Sequence, residues 1–211
     1  MKNILCYGDS NTFGWDPEES RRPDRDQRWP GVLEKELGAD YHVIEEGLPG
    51  RTTVFYDPVM NLISGLDYLY PCLYSHQPLD MIIIMLGTND LKYLFNAAPF
   101  DVFQGLERVV KTALYFESDL SDARPQLFLV SPARIIAPKA QFTDMFRGAE
   151  EKSLGLAAQV KALALKYGAL YLNAADIVEP SPADGIHFNI ASHRILGKRV
   201  AEAARDYFGK K

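Results

Sequence analysis

The run Met81-Ile82-Ile83-Ile84-Met85-Leu86 is the feature that most narrows the fold. Six consecutive apolar residues without alternation do not suit a half-exposed strand, and they are too few to span a membrane. A central parallel strand covered on both faces buries every one of them. Shorter apolar segments recur at Asn3–Tyr7, Tyr41–Glu45, Gln126–Ser131 and Ala169–Leu172, each of strand length. Between them the pattern turns helical. Trp29–Leu37 ends at Gly38, a residue suited to the C′ position, and Asp101–Phe116 places Val102, Leu106, Val109, Val110 and Ala113 on one stripe. Glu150–Tyr167 stops before Gly168, and Ile190–Phe208 follows Asn189, a good N-cap. Strands alternating with helices imply an α/β sheet with crossover connections, whose ligands bind outside the carboxyl ends of the strands.

The chain has 211 residues, which suits one domain over 1–211, because a single core serves up to roughly 250 residues. There are no repeats, low-complexity tracts or linkers. The charge-rich stretch Glu18–Arg28 alternates in sign and reads as a solvated loop. A formal net charge of -5 argues against a nucleic-acid partner, which would favour a basic face. Cys6 lies in an apolar run and Cys72 in a helical stretch, so both read as reduced, packed thiols. Met1–Tyr7 passes directly into a strand, leaving no room for the apolar region of a signal peptide. With no run of 18 apolar residues either, the expectation is a cytoplasmic enzyme without a membrane partner.

Four loops carry the polar chemistry, and each follows a strand or precedes the last helix. Gly8-Asp9-Ser10-Asn11 follows the first strand, where a serine on a tight turn projects its hydroxyl into the crevice; a capping or phosphate-binding loop is the plainer reading. Asp184-Gly185-Ile186-His187 precedes the last helix. A hydroxyl needs an adjacent base to act as a nucleophile, and a histidine base needs a carboxylate to fix its tautomer. Folded back through Gly185, Asp184 meets His187 Nδ1 and leaves Nε2 for Ser10; a purely local Asp–His turn contact is the alternative. Gly87-Thr88-Asn89-Asp90 offers the Asn89 amide, and Gly47-Leu48-Pro49-Gly50 offers the Gly50 N–H. Such donors stabilise an acyl-transfer oxyanion, although both segments are also ordinary turns. His42, His76 and His193 lack a comparable setting. No G-x-G-x-x-G and no P-loop lysine occur, which disfavours a dinucleotide cofactor.

Taken in order, these four segments resemble the SGNH hydrolase family, the GDSL esterases and lipases. Its Ser, Gly, Asn and His blocks correspond to Ser10, Gly50, Asn89 and His187, with Asp184 three residues before the histidine. The resemblance covers essentially the whole chain. It implies a flavodoxin-like three-layer α/β/α fold with a five-stranded parallel sheet, and neither a cofactor nor a metal. It also implies a triad of Ser10, Asp184 and His187, and an oxyanion hole of Ser10 N–H, Gly50 N–H and the Asn89 amide. Asp9, adjacent to the serine, then organises the loop rather than serving as the triad acid. Ile4–Ser10, Val43–Leu48, Ile83–Asp90 and Asp184–Phe188 are most similar to small bacterial arylesterases and acyltransferases, including mycobacterial members that also perhydrolyse. That subgroup implies short acyl chains, aryl or simple alcohol leaving groups, and closed homo-oligomers whose neighbours narrow the site. Two positions depart from it: Asn11 replaces a common leucine, and Gly50 stands where the mycobacterial relative has alanine.

For the pocket, Trp15 is expected to wall the acyl side, and Tyr93, Leu94 and Phe95 to line the alcohol side. Asn11 and Arg51 are candidates for contact with substrate hydroxyls, which keeps a carbohydrate O-deacetylase or a thioesterase open as alternatives. Pro132–Arg147 is a long connection with Ile135, Ile136, Phe142, Met145 and Phe146, and is expected to cover the site or join a subunit interface. Two rival functions remain: a two-metal phosphoesterase using Asp9, Asn89, Asp90 and His187, and a non-catalytic binding module on the same fold.

Overall fold

The computed structural model describes residues 1–209. Five strands form one sheet: β1 (Lys2–Gly8), β2 (Tyr41–Gly47), β3 (Met81–Met85), β4 (Gln126–Ser131) and β5 (Leu170–Asn173). Their order is β2-β1-β3-β4-β5 and every pairing is parallel, with Ile4 opposite both Val43 and Met81. The helices are α1 (Ser10–Phe13), α2 (Trp29–Leu37), α3 (Gly65–His76), α4 (Pro99–Leu114), α5 (Phe142–Met145), α6 (Ala149–Ser153), α7 (Leu156–Tyr167) and α8 (Ile190–Phe208). This is the expected flavodoxin-like α/β/α arrangement.

The unbroken apolar run of β3 has a simple cause. Ile82 and Ile84 pack with Leu5 and Tyr7 of β1 against Leu69 and Leu73 of α3 and Val109 and Val110 of α4. Met81, Ile83 and Met85 turn the other way, with Ile4 and Cys6, onto Trp29 and Leu33 of α2 and Leu196 and Val200 of α8. Each such side chain contributes about 2 kcal/mol relative to leaving it in water, so a polar residue is excluded from either face. Cys6 and Cys72 are buried free thiols. Among the described residues, no helix is long and apolar enough to cross a membrane.

One expectation is corrected here. Glu150–Tyr167 is not one helix: α6 ends at Ser153 and α7 begins at Leu156. The Ser153 hydroxyl donates to the Glu150 carbonyl at 2.7 Å and accepts the Ile135 N–H at 3.1 Å, so the break serves to tether the preceding loop. Glu18–Arg28 is mostly exposed, as expected, but its end is anchored in the fold. Arg28 is buried, donates to Glu45 at 2.6 Å and to the Pro23 carbonyl at 2.7 Å, and Arg25 reaches the Val43 carbonyl at 2.6 Å. A guanidinium removed from water requires that many acceptors, and charge alternation alone does not reveal them.

Candidate active site

The crevice lies where the sheet changes direction, because β1 is followed in sequence by β2 on one side and in space by β3 on the other. Ser10 leaves the carboxyl end of β1 as the first residue of α1. Asp9 caps that helix, its Oδ1 accepting the Asn11 N–H at 2.9 Å. The partner turn lies 174 residues further on. Asp184 Oδ1 accepts the N–H groups of Ile186 and His187, both at 2.9 Å, while Oδ2 stands 2.6 Å from His187 Nδ1. His187 Nε2 is 2.8 Å from Ser10 Oγ. Ser10, Asp184 and His187 are each 6% exposed and so largely shielded from bulk water. Burial works to raise the Asp184 pKa, but the His187 hydrogen bond and charge, with the two N–H donors, outweigh it and hold the carboxyl below its ordinary value. The carboxylate is therefore ionised where it faces the imidazole.

Asn89 follows β3 and is nearly buried. Its Nδ2 donates to the Arg51 carbonyl at 3.2 Å, which fixes the amide and leaves its second hydrogen uncommitted. Gly50 has φ +84°, and a Cβ there would stand 2.8 Å from Met60 Sδ and Cε, so both conformation and space favour glycine. Among the described residues, the N–H groups of Ser10 and Gly50 meet no acceptor. Asp90 is completely buried and holds the facing segment by accepting the Thr53 N–H at 3.0 Å and the Thr53 hydroxyl. Burial pushes the Asp9 and Asp90 carboxyls each up to about 6, against the hydrogen bonds that favour the charged form.

The residues expected in the pocket divide. Asn11 is buried, its Oδ1 accepts the Phe188 N–H at 2.9 Å and its Nδ2 donates to the Ile186 carbonyl at 3.2 Å. Both ends of the amide take part in joining the serine loop to the histidine loop. Arg51 is taken up inside the fold. It is buried, donates to the carbonyls of Gly8, at 2.9 Å, and Glu46, and lies 4.2 Å over the Tyr7 ring. Trp15 is half-buried and its backbone N–H donates to the Ser10 carbonyl at 3.0 Å. Tyr93 and Leu94 are half exposed, with the Arg147 guanidinium 3.9 Å from the Tyr93 ring centre. Phe95 stacks on Phe55 at 5.1 Å and packs against a small cluster that contains Ile186. Of the residues in the two-metal reading, Asp90 is taken up by Thr53 and His187 by Ser10 and Asp184, while Asp9 Oδ1 accepts from Asn11.

One residue of the Pro132–Arg147 connection meets the triad histidine. Phe142, on α5 within the Pro132–Arg147 connection, sets its ring edge-on to His187 with centroids 5.5 Å apart. The same connection is sewn to the triad turn by Ile136 N–H to the Gly185 carbonyl at 2.9 Å and Lys139 N–H to the Asp184 carbonyl at 3.1 Å. Its length and apolar content were the only signals in the sequence. Likewise Glu18 accepts from Ser181 at 2.8 Å and Asn189 at 3.0 Å, tying the first loop to the last.

Comparison with known proteins places the chain in a family. No curated protein matches the chain. Among solved structures, an aryl esterase of M. smegmatis is similar at 40% identity and TM-score 0.92, covering 98% of this chain and 99% of that one. A carbohydrate acetylesterase family member from Sinorhizobium meliloti is similar at 35% identity and TM-score 0.94, covering 99% and 100%. The family model for GDSL-like lipases and acylhydrolases matches residues 6–195. The chain therefore belongs to the GDSL-like lipase/acylhydrolase family and is a carboxylic ester hydrolase.

Proposed function

We propose that the protein is a serine esterase cleaving short-chain, acetyl-like esters of aryl or simple alcohols through an acyl-serine intermediate, with residues 1–211 forming one catalytic domain. The observation that carries this reading is the unbroken relay from the Asp184 carboxylate through His187 to the Ser10 hydroxyl, at 2.6 and 2.8 Å. Ser10 Oγ attacks the ester carbonyl as His187 Nε2 takes its proton, and Asp184 stabilises the imidazolium that forms. The negative charge arising on the carbonyl oxygen is received by the N–H groups of Ser10 and Gly50 and by the free hydrogen of the Asn89 amide. His187 then gives its proton to the leaving alkoxide. It next activates water against the acyl-enzyme, or another alcohol or peroxide, in which case the acyl group is transferred.

A second reading, O-deacetylation of carbohydrates, is favoured by the S. meliloti relative. Asn11 and Arg51 both make hydrogen bonds inside the fold, so the relative carries this reading. Comparing kcat/KM for p-nitrophenyl acetate and for acetylated sugars and thioesters orders these substrates. Ser10→Ala should lower kcat on p-nitrophenyl acetate by roughly 10⁴-fold or more, while a chelator leaves wild-type turnover unchanged. Turnover that survives the substitution refutes the mechanism.

For assembly, the loop beyond Gly50 exposes Tyr56, Val59, Met60 and Ile63, with Val59 80% exposed. That apolar surface supports a homo-oligomer. Light scattering should give a mass that is a multiple of one chain, and a clean monomer rejects it.

A further inference from the structure

A second convergence of reactive side chains lies on the outer strand β2 and the helix that covers it. Cys72 and His76 are four residues apart on α3, hence one turn apart on one face. Glu46 reaches them from β2, and its Oε1 is 2.9 Å from His76 Nε2. One donor atom from each of the three, a thiol sulfur, an imidazole nitrogen and a carboxylate oxygen, lies within 4.8 Å of the other two. Cys72 is only 1% exposed and forms the floor, whereas the side chains of His76 and Glu46 are 29% and 20% exposed and leave a mouth open to solvent. Among the described residues, none of the three hydrogen-bonds with Ser10, Asn89, Asp184 or His187.

We infer that Glu46, Cys72 and His76 form a binding site for a thiophilic divalent cation, with Zn²⁺ the ion whose ligand preferences the set matches and with a fourth position open to water. Tetrahedral Zn²⁺ holds sulfur at about 2.3 Å and nitrogen or oxygen at about 2.0–2.1 Å, which places neighbouring donors roughly 3.3–3.6 Å apart. Donors within 4.8 Å of one another need to draw in by at most about 1.5 Å to reach that spacing. Binding replaces the Cys72 thiol proton and the Glu46–His76 hydrogen bond with three bonds to the ion, and the proton passes to solvent. Thiolate and carboxylate together balance the two positive charges. The Arg51 guanidinium, which donates to the Glu46 carbonyl, then faces a neutral centre. A hard cation such as Mg²⁺ or Ca²⁺ gains nothing from the sulfur.

The test uses the full-length, metal-free protein, titrated with Co²⁺ while the thiolate-to-cobalt charge-transfer absorption is followed, and with Zn²⁺ by calorimetry. The expected result is one ion per chain and a charge-transfer band. Cys72→Ser should abolish the band and weaken Zn²⁺ binding at least about tenfold, as loss of even a supporting group does. Glu46→Gln, on a part-exposed strand residue, should keep the band and weaken Zn²⁺ binding about 10-fold to 100-fold, giving a readout even if Cys72→Ser misfolds. His187→Ala should leave band and affinity unchanged. Absence of the band, affinity unaltered in both Cys72→Ser and Glu46→Gln, or loss of binding in His187→Ala would each overturn the assignment.

Discussion

Asn11 illustrates how a polar side chain beside a nucleophile can act in construction. Its amide is the direct link between the loop that carries Ser10 and the backbone on either side of His187. Those two loops are 177 residues apart along the chain, so the 2.8 Å approach of Nε2 to Oγ depends on such links. Asn11→Ala leaves the Phe188 N–H and the Ile186 carbonyl buried without this partner. The expected cost is about 1–3 kcal/mol in urea denaturation. Activity should fall more steeply than the folded fraction, because the histidine loop loses its register. Unchanged stability would mean that the bridge contributes nothing. Arg51 teaches the same lesson with a charge: its guanidinium spans β1, β2 and the Tyr7 ring, and its position in a loop gave no sign of that.

At the scale of elements, the triad turn is held by the Pro132–Arg147 connection rather than by α8 alone. Ile136 and Lys139 donate to the carbonyls of Gly185 and Asp184, and Phe142 presses on the His187 ring. Gly185 makes this approach feasible, with φ +77° and a would-be Cβ only 2.0 Å from the Ile136 carbonyl oxygen. Gly185→Ala combines a disfavoured backbone conformation, costing about 1–3 kcal/mol, with a backbone clash. It should therefore push the connection off the turn. We expect kcat/KM for p-nitrophenyl acetate to drop at least about tenfold while the far-ultraviolet circular dichroism stays that of the wild type, since the affected contacts lie outside the sheet. Wild-type kcat/KM in that variant would show that the connection does not position the triad.

For the molecule as a whole, acid stability is governed by buried titratable groups that act in opposite directions. His193 of α8 is fully buried and packed edge-on to Phe188. Burial, helped by the charges of His187 and Arg28, lowers its pKa to about 3. It stays neutral in the fold but takes a proton when unfolded below about 6.5. Stability is therefore lost as pH falls from about 6.5 towards 3. At pH 4.5 the loss amounts to about 3 kcal/mol. Asp9 and Asp90 do the reverse: with pKa values of about 6 in the fold, their burial costs stability at neutral pH and ceases to do so as pH falls towards their unfolded values. His193→Leu removes only the first contribution. Urea denaturation of both proteins at pH 7 and pH 4.5 should show the variant losing about 3 kcal/mol less than wild type. Equal losses would exclude His193 as the source.

The layering of the fold was legible in the amino-acid sequence because burial on both faces of a strand leaves a direct mark, as in Met81–Leu86 and Gln126–Ser131. The four polar loops were legible for a related reason, since Gly, Asp, Ser and Asn in those places answer to local backbone demands. Their family likeness identified which side chains to watch. Tertiary structure alone decided the rest. Asn11, Arg51, Arg28 and Phe142 take their roles from partners far along the chain, and a polar or aromatic residue reads alike in sequence whether it meets water, substrate or a buried carbonyl. Local pattern encodes which face of an element is buried. Only the packed chain determines which distant group satisfies each hydrogen bond taken out of water.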